Sequence, residues 1–401
     1  MIWFKYVIDG GALLHKISWG KNEPYSTILL RYFTYVDTRY PKATIVFDGY
    51  ESPLSTKDTA HQRRSRTVGR EVLFSEEMIL TTKKEEFLSN KANKSRFIKM
   101  LATYLANRCV HVIQAKDDAD VLIVQTAVDF SRSQNVVVIG DDTDLLVLLI
   151  YHVNENSQSV YLKNEGKKGQ PGKLWDIKDI RGKLGIDFCR RILFAHAILG
   201  CDTTSRLFGL GKGLAIKTLG SNDNDFNEAA DTFLRIGASK EEIDAAGQKA
   251  VVILYGCDKS ATLNANRYHT FKRKVANSTM FVHPKDLPPT ASACKFHSFR
   301  VYYQVQMWSD SNASQYLSPE DWGWVVRDGV LHPICTDIAP APENILKVIK
   351  CGCKGSCSSM RCTCRKNGVE CSSVCNGCKG INCLNASSAI EEDNFDLDNA
   401  E

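Results

Sequence analysis

The sequence predicts an α/β fold in which helices wrap a parallel sheet, followed by a mainly helical region and a small cysteine-rich module. Short runs rich in valine and isoleucine alternate with amphipathic segments, a pattern typical of parallel sheets, and from about Lys173 the helical pattern continues alone. Nine of the fifteen cysteines then fall between Cys351 and Cys383. The predicted strands are FKYVI (4–8), ATIVF (43–47), VHVIQA (110–115) and VVVIG (136–140).

Shifts in composition divide the chain into five segments. We expect a sheet domain over 1–172 with a basic insertion at 49–109, and a helical region over 173–284. Residues 285–350 form an aromatic-rich connecting block, whose tryptophans we expect in a small core rather than stacked on bases: Trp308, Trp322 and Trp324. The cysteine module follows at 351–385, and we expect the acidic tail at 386–401 to be disordered.

Length and composition exclude several classes of protein. With 401 residues, of which 43% are hydrophobic, the chain can bury a sizeable core. No run is apolar for long enough to span a membrane, and the first twenty residues lack the parts of a secretory signal, so we expect an intracellular protein without a membrane partner. The net charge is +5, although the last fifteen residues carry six acids and no base.

Aspartates follow each predicted strand, and one more follows the apolar helix ILFAHAILG. Because the carboxyl ends of parallel strands meet at one edge of a sheet, we expect these side chains to converge. Neighbouring carboxylates cannot all ionise unaided, and Mg²⁺ or Mn²⁺ suits oxygen ligands better than zinc does. Taken singly, Asp118 and Asp142 could instead cap helices. The candidate ligands are Asp9, Asp48, Asp118, Asp120, Asp142, Asp144 and Asp202.

A glycine-rich stretch, TTSRLFGLGKGLAIKTLG, follows Asp202. Glycines let the backbone approach a phosphate, and the N–H groups at the start of the next helix favour an anion. The stretch matches neither a P-loop nor a dinucleotide-binding fingerprint, and a plain helical turn is the alternative. Its candidate phosphate-binding residues are Gly209, Gly211, Lys212, Gly213 and Lys217.

Five motifs in their order resemble the PIN-like nuclease fold of the flap endonuclease and XPG superfamily, over about residues 4–220: VIDGGALLH, VFDGY, KDDADVL, GDDTDLL and LGCDTTSRLFGLGKGLAIK. The resemblance implies that the seven aspartates hold two Mg²⁺ or Mn²⁺ ions for phosphodiester hydrolysis. It implies that residues 199–220 form a helix-two-turn-helix that grips duplex DNA. It also implies that the basic insertion forms an arch over the site, where Lys57, Arg63 and Arg64 draw the scissile phosphate toward the metals.

The cysteine module reads C-x-C-x3-C-x4-C-x-C-x6-C-x3-C-x2-C-x4-C. Clustered cysteines in a reducing compartment indicate metal, and nine sulfurs exceed what two separate tetrahedral zinc sites use, so we expect bridging thiolates. A disulfide knot is the alternative. The ligands would be Cys351, Cys353, Cys357, Cys362, Cys364, Cys371, Cys375, Cys378 and Cys383.

The module resembles the tesmin-type CXC domain, which implies three Zn²⁺ ions and contact with DNA. Arg361 stands where that family usually has an aromatic residue, and it is our candidate for a minor-groove contact. Residues 344–369 hold six bases and no acid, which favours phosphate contact. The block before the module also resembles regions linked to CXC segments in proteins of transposable elements.

Together these features predict a metal-dependent, structure-selective nuclease acting on DNA, with a zinc CXC module that binds nucleic acid. One alternative is a catalytically inactive DNA-binding scaffold or regulator, and another is an RNA endonuclease, since PIN-like folds also cut RNA. A DNA substrate would imply a nuclear location. Protein partners cannot be read from the sequence.

Overall fold

The computed structural model describes residues 4–49, 54–57, 69–166, 171–221, 223–277, 282, 284–310, 312–338, 349–373, 375–380 and 383–386. The chain divides into two compact units. The first comprises Met1–Phe271 and Pro284–Asp337, and the second comprises Lys272–His283 and Ile338–Glu401. Among the described residues, every helix is too short or too polar to cross a bilayer.

A six-stranded sheet lies at the centre of the first unit, in the order β3-β2-β1-β4-β5-β6. The first five strands run parallel, and β6 pairs antiparallel with β5. The predicted parallel sheet wrapped by helices is confirmed. The strands are β1 (Phe4–Asp9), β2 (Thr44–Phe47), β3 (His111–Gln114), β4 (Asn135–Ile139), β5 (Val160–Lys163) and β6 (Leu174–Asp176).

Helices cover both faces of this sheet, which explains why its central strands are almost wholly apolar. Successive side chains of β1 point to opposite faces, so Val7 joins the core on one side and Ile8 the core on the other. The helices of this unit are α1 (Gly10–Lys16), α2 (Tyr25–Arg39), α3 (Lys84–Ser89), α4 (Lys91–Ala106), α5 (Asp120–Ser131), α6 (Thr143–His152), α7 (Ile177–Leu184), α8 (Ile186–Ile198), α9 (Gly213–Gly220), α10 (Asn224–Leu234), α11 (Lys240–Leu254), α12 (Leu263–Asn277, whose last turns belong to the second unit) and α13 (Ala291–Ser309).

The aromatic-rich block contributes to the main core instead of forming a small core of its own. Its long helix α13 packs against α8, α10 and α11. Trp308 and Trp322 belong to the same cluster of buried side chains as the sheet residue Val7. Trp324 is also buried, in the hairpin of β7 (Trp324–Arg327) and β8 (Val330–Pro333). These rings are therefore not available to stack on bases.

Polar side chains buried on α13 are hydrogen-bonded to the elements around them. His297 Nε2 donates to the carbonyl of Ile198 at 2.9 Å, and Arg300 Nη1 donates to the carbonyl of Ile334 at 2.7 Å. Gln304 Oε1 accepts from Thr203 Oγ1 at 2.6 Å. Since a buried polar group is costly without a partner, these bonds fix α13 in one position.

In the described part of the second unit, every buried side chain belongs to a cysteine. Its one short helix in that part after the tail of α12 is α14 (Thr363–Lys366). A segment with so few large apolar residues cannot gain its folding free energy from a hydrophobic core. This unit therefore needs another source of folding free energy, and its buried cysteine sulfurs are the groups that can provide it.

Candidate active site

The sheet places its acidic residues at a topological switch point. The chain adds β2 and β3 on one side of β1 and then returns to place β4 on the other side. In such sheets the crevice outside the carboxyl ends of the two strands at the switch is the usual ligand site. Here those strands are β1, which ends at Asp9, and β4, which is followed by Asp142 and Asp144.

Asp9 is held by the start of the first helix. Its Oδ1 accepts hydrogen bonds from the backbone N–H of Gly11 at 2.8 Å and of Ala12 at 3.2 Å. The helix can begin at once because residue 10 is glycine: a Cβ there would lie 2.2 Å from the ring of Phe47. Burial raises the pKa of Asp9 to about 6, and the nearby charges of Asp48 and Asp142 act in the same direction against the two N–H donors.

Asp142 and Asp144 lie at the start of α6. Asp142 is its N-cap, as the capping alternative predicts, and its Oδ1 accepts from the N–H of Asp144 at 3.0 Å. Partial removal from water raises the pKa of Asp142, and Asp144 and Asp202 raise it further by repulsion. Capping and closeness to other carboxylates therefore coexist at Asp142.

Asp118 and Asp120 share one ammonium group. Lys57 Nζ lies 2.7 Å from Asp118 Oδ1 and 3.0 Å from Asp120 Oδ2. Burial raises the pKa of Asp120 well above its usual range, and repulsion from Asp118 adds to it although Lys57 opposes it. Burial alone would lower the pKa of Lys57, but the two carboxylates outweigh it and raise that pKa. Asp118 is not the N-cap of α5, since Ala119 holds that position.

Asp48 contacts both the backbone just before α5 and a lysine on α4. Its Oδ1 accepts from the N–H of Ala119 at 3.3 Å, directly before α5. Its Oδ2 lies 3.9 Å from Lys94 Nζ on α4. Asp48 therefore stands between the acids after β1 and those after β3.

Electrostatic repulsion links all seven aspartates into one basin. The charges of Asp48 and Asp142 raise the pKa of Asp9. The charges of Asp144 and Asp202 raise the pKa of Asp142, and those of Asp118 and Asp142 raise the pKa of Asp120. Within the described ranges, no three of their oxygens, taken from different residues, lie within 4.8 Å of one another. The acids therefore surround the basin without forming a group of three that could hold an ion as they stand, so an ion would have to draw their carboxylates closer together.

His196 is a functional candidate that the sequence does not reveal. Its ring is buried on α8, and its Nε2 lies 2.8 Å from Asp144 Oδ1. Within FCRRILFAHAILG it is surrounded by apolar residues, so the natural expectation is an ordinary core or surface histidine. The only signal is a titratable side chain in an apolar helix, six residues before Asp202.

The glycine-rich stretch forms an open turn before α9. Gly209 has a positive φ of 76°, and a Cβ at Gly209, Gly211 or Gly213 would meet nothing within 4 Å. Lys212 lies at the N-cap of α9 and is close enough to lower the pKa of Asp144, after the larger effects of burial and of His196. Lys217 lies in the last turn of α9. Of the insertion residues, Arg63 and Arg64 lie outside the described residues.

The sulfurs of the second unit form three overlapping groups of four. Cys351 belongs to all three groups, and Cys357 and Cys371 each belong to two. All fifteen cysteines are free, which disfavours the disulfide alternative. Cys383 stands outside the three groups and accepts from the N–H of Asn385 at 3.4 Å. The groups are Cys351, Cys353, Cys357, Cys362; Cys351, Cys357, Cys371, Cys378; and Cys351, Cys364, Cys371, Cys375.

The spacing of these sulfurs matches that of a zinc site. Sulfurs about 2.3 Å from a central zinc in a tetrahedron are separated by about 3.8 Å. The Sγ atoms of Cys351 lie 3.8 Å from those of Cys357 and Cys371, and the sulfurs of Cys364 and Cys375 are 3.5 Å apart. The cluster can therefore hold tetrahedral metal ions with little movement.

No protein-family model and no curated protein matches the chain. Solved structures do show likeness. The Holliday junction-resolving enzyme GEN1 in complex with product DNA and Mg²⁺ is 15% identical over 56% of this chain and 44% of its own, with a TM-score of 0.33. The catalytic core of Rad2 in complex with DNA substrate is 14% identical over 70% and 76%, with a TM-score of 0.38.

The flap endonuclease D15 of bacteriophage T5, in a complex with DNA and metal ions, is 13% identical over 64% of this chain and 89% of its own, with a TM-score of 0.39. The present chain covers less than half the length of the GEN1 chains that it resembles, between 44% and 48%. At these identities the likenesses concern the fold alone.

Proposed function

We propose that the chain is a divalent-metal-dependent, structure-selective nuclease that hydrolyses phosphodiester bonds in DNA. The observation that carries the proposal is the convergence of seven aspartates, from four strand ends and the end of α8, on the switch point of the sheet. Such an arrangement of like charges destabilises the fold unless a cation balances it.

The donor chemistry of these residues suits Mg²⁺ or Mn²⁺, and we propose that two such ions draw the acids together. All seven candidate ligands are carboxylates, the donors that these ions prefer. Asp118 and Asp120 share a single ammonium, which can balance only one of the two carboxylates when both are ionised. When bound, paired ions would activate water and stabilise the leaving oxygen of the phosphodiester.

Cationic side chains next to the basin would bind and orient the substrate. Lys57 lies among the acids and Lys212 lies near Asp144, so both can meet a phosphate that approaches the basin. The open turn at Gly209, Gly211 and Gly213 leaves room for a phosphate backbone before α9, where Lys217 lies. Arg63 and Arg64 remain candidates from the same basic insertion.

The second unit would bind zinc and tether the enzyme to DNA. Three overlapping sulfur groups suit three Zn²⁺ ions with bridging thiolates, and ion binding would supply the folding free energy that this segment lacks. Arg361 is exposed, as a residue that enters a minor groove must be. We propose a nuclear location on the same ground, since DNA is the proposed substrate.

Purified protein incubated with labelled flap, hairpin and single-stranded DNA tests the proposal. We expect cleavage with Mn²⁺ or Mg²⁺ and none without, and a preference for a branched or folded substrate over plain single strands. Binding without cleavage in every metal would favour the inactive scaffold. Faster cleavage of matched RNA would favour the RNA endonuclease.

A further inference from the structure

We infer that His196 is a positioning residue for metal binding, which holds the Asp144 carboxylate in the orientation that a divalent cation requires. The inference rests on the proposed nuclease function and adds to it a residue outside the set of carboxylates. It comes from the contact between the His196 ring and Asp144, and from the elements that hold the ring in place.

The hydrogen bond between the two residues has a defined direction. An ionised carboxylate can only accept, so His196 Nε2 carries the proton and donates it to Asp144 Oδ1 across 2.8 Å. Among the described residues, no side chain or backbone group donates to Asp144 Oδ2. The His196 ring thus fixes the position of Oδ1, and the lone pairs of Oδ2 remain available to an ion.

The ring of His196 is itself held by α13. The Trp308 ring lies 5.7 Å from it at an interplanar angle of 33°. The carbonyl of Trp308 accepts a hydrogen bond of 2.8 Å from Nε2 of His152, which lies on α6, the helix whose first turn contains Asp144. A residue that orients a metal ligand needs such support, because a mobile imidazole would not fix the carboxylate.

A buried histidine can also serve stability alone, and His152 provides the matched control. His152 bonds the carbonyl of Trp308, whose ring contacts His196, and among the described residues it has no carboxylate partner. We would compare Mn²⁺ affinity by calorimetry, and kcat and KM for a DNA flap, in the full-length chain and in three variants: His196→Ala, His196→Gln and His152→Ala. Gln can still donate a hydrogen bond from its amide to Asp144.

For His196→Ala we expect Mn²⁺ binding weakened about 10- to 100-fold, a lower kcat at fixed Mn²⁺ that partly recovers at high Mn²⁺, and an unchanged KM for DNA. His196→Gln should recover much of the loss, and His152→Ala should alter only thermal stability. Mn²⁺ affinity in His196→Ala equal to that of the parent, or an equal loss in His152→Ala, overturns the inference.

Failure of this inference and failure of the proposed function give different results. If the parent cuts DNA and His196→Ala cuts it equally well, only the positioning role is wrong. If the parent binds Mn²⁺ but cuts nothing, the nuclease proposal fails, and the calorimetry still decides the role of His196. Should His196→Ala not fold, His196→Phe, which keeps a ring but has no hydrogen-bond donor, takes its place with the same expected loss of Mn²⁺ affinity.

Discussion

The ammonium of Lys57 lies 3.0 Å from Oδ2 of Asp120, and the same nitrogen lies 2.7 Å from Oδ1 of Asp118. Their side chains are mostly shielded from water, with exposures of 20% for Lys57 and 13% for Asp120. An ammonium in this position balances part of the negative charge of the basin. It must therefore compete with any divalent cation that these two acids bind.

Replacing this ammonium should separate its two effects. We expect Lys57→Gln to bind Mn²⁺ about tenfold more tightly, because a competing unit charge is removed from the basin. The same variant should show a higher KM for DNA, since it loses a phosphate contact. Calorimetry with Mn²⁺ and steady-state cleavage of a labelled flap measure the two effects.

Lys183→Gln is the control for net charge, because Lys183 pairs with Asp179 on an exposed surface. It should leave both quantities unchanged. Weaker Mn²⁺ binding by Lys57→Gln would mean that Lys57 supports the metal site instead of competing with it.

Asp9 should reduce the stability of the metal-free protein at neutral pH. A carboxyl group whose pKa rises from 3.8 to about 6 on folding favours the folded state below pH 4, and this contribution of up to about 3 kcal/mol disappears as pH rises through 6. Asp9→Asn has no charge to bury, so we expect it to be more stable than the parent at pH 8 and equal to it near pH 4. Urea unfolding without added Mg²⁺ or Mn²⁺ measures the difference.

The exposed Asp179 provides the comparison, and Asp179→Asn should change stability by less than about 0.5 kcal/mol at either pH. If Asp9→Asn is less stable than the parent at pH 8, the negative charge of Asp9 is compensated more fully in the folded protein than its burial and its neighbours indicate.

The overlap of the sulfur groups predicts unequal effects of cysteine substitutions. Cys351 is shared by three groups and Cys353 belongs to one. Cys351→Ser should therefore lose most of the bound zinc and unfold the module, whereas Cys353→Ser should lose about one ion of the proposed three. Mass spectrometry of metal content gives the zinc-to-protein ratio.

Cys335→Ser removes an exposed cysteine outside these groups and should keep the full metal content. Equal zinc loss in Cys351→Ser and Cys353→Ser would argue against shared thiolates.

Much of the sheet and its acids can be predicted from sequence because the relevant signals are local. Valine-rich runs identify the strands, and Asp9, Asp48 and Asp142 are the last residue of a strand or follow one within a few residues. Parallel strands then bring these acids to one edge without further information. The roles of the seven aspartates stay predictions until metal binding is measured.

The parts that sequence reasoning misses depend on distant contacts. His196 and Asp144 are 52 residues apart, and Lys57 and Asp120 are 63 residues apart. The residues next to His196 and Lys57 in the sequence do not indicate which acid each of them contacts. The position of α13 is missed for the same reason, because a mixture of aromatic and polar residues in HSFRVYYQVQMW shows no clear face when a helix is buried on nearly all sides.

Cleavage by the double variant Asp142→Asn and Asp144→Asn tests the central claim most directly. With Mn²⁺ and a labelled DNA flap, we expect the rate to fall more than about 100-fold, because two metal ligands are lost. DNA affinity should stay equal or increase, since two negative charges are removed. Asp141→Asn, an exposed neighbour in the same loop, should cut like the parent. A double variant that cuts DNA as fast as the parent would contradict the assignment of this basin as the catalytic centre.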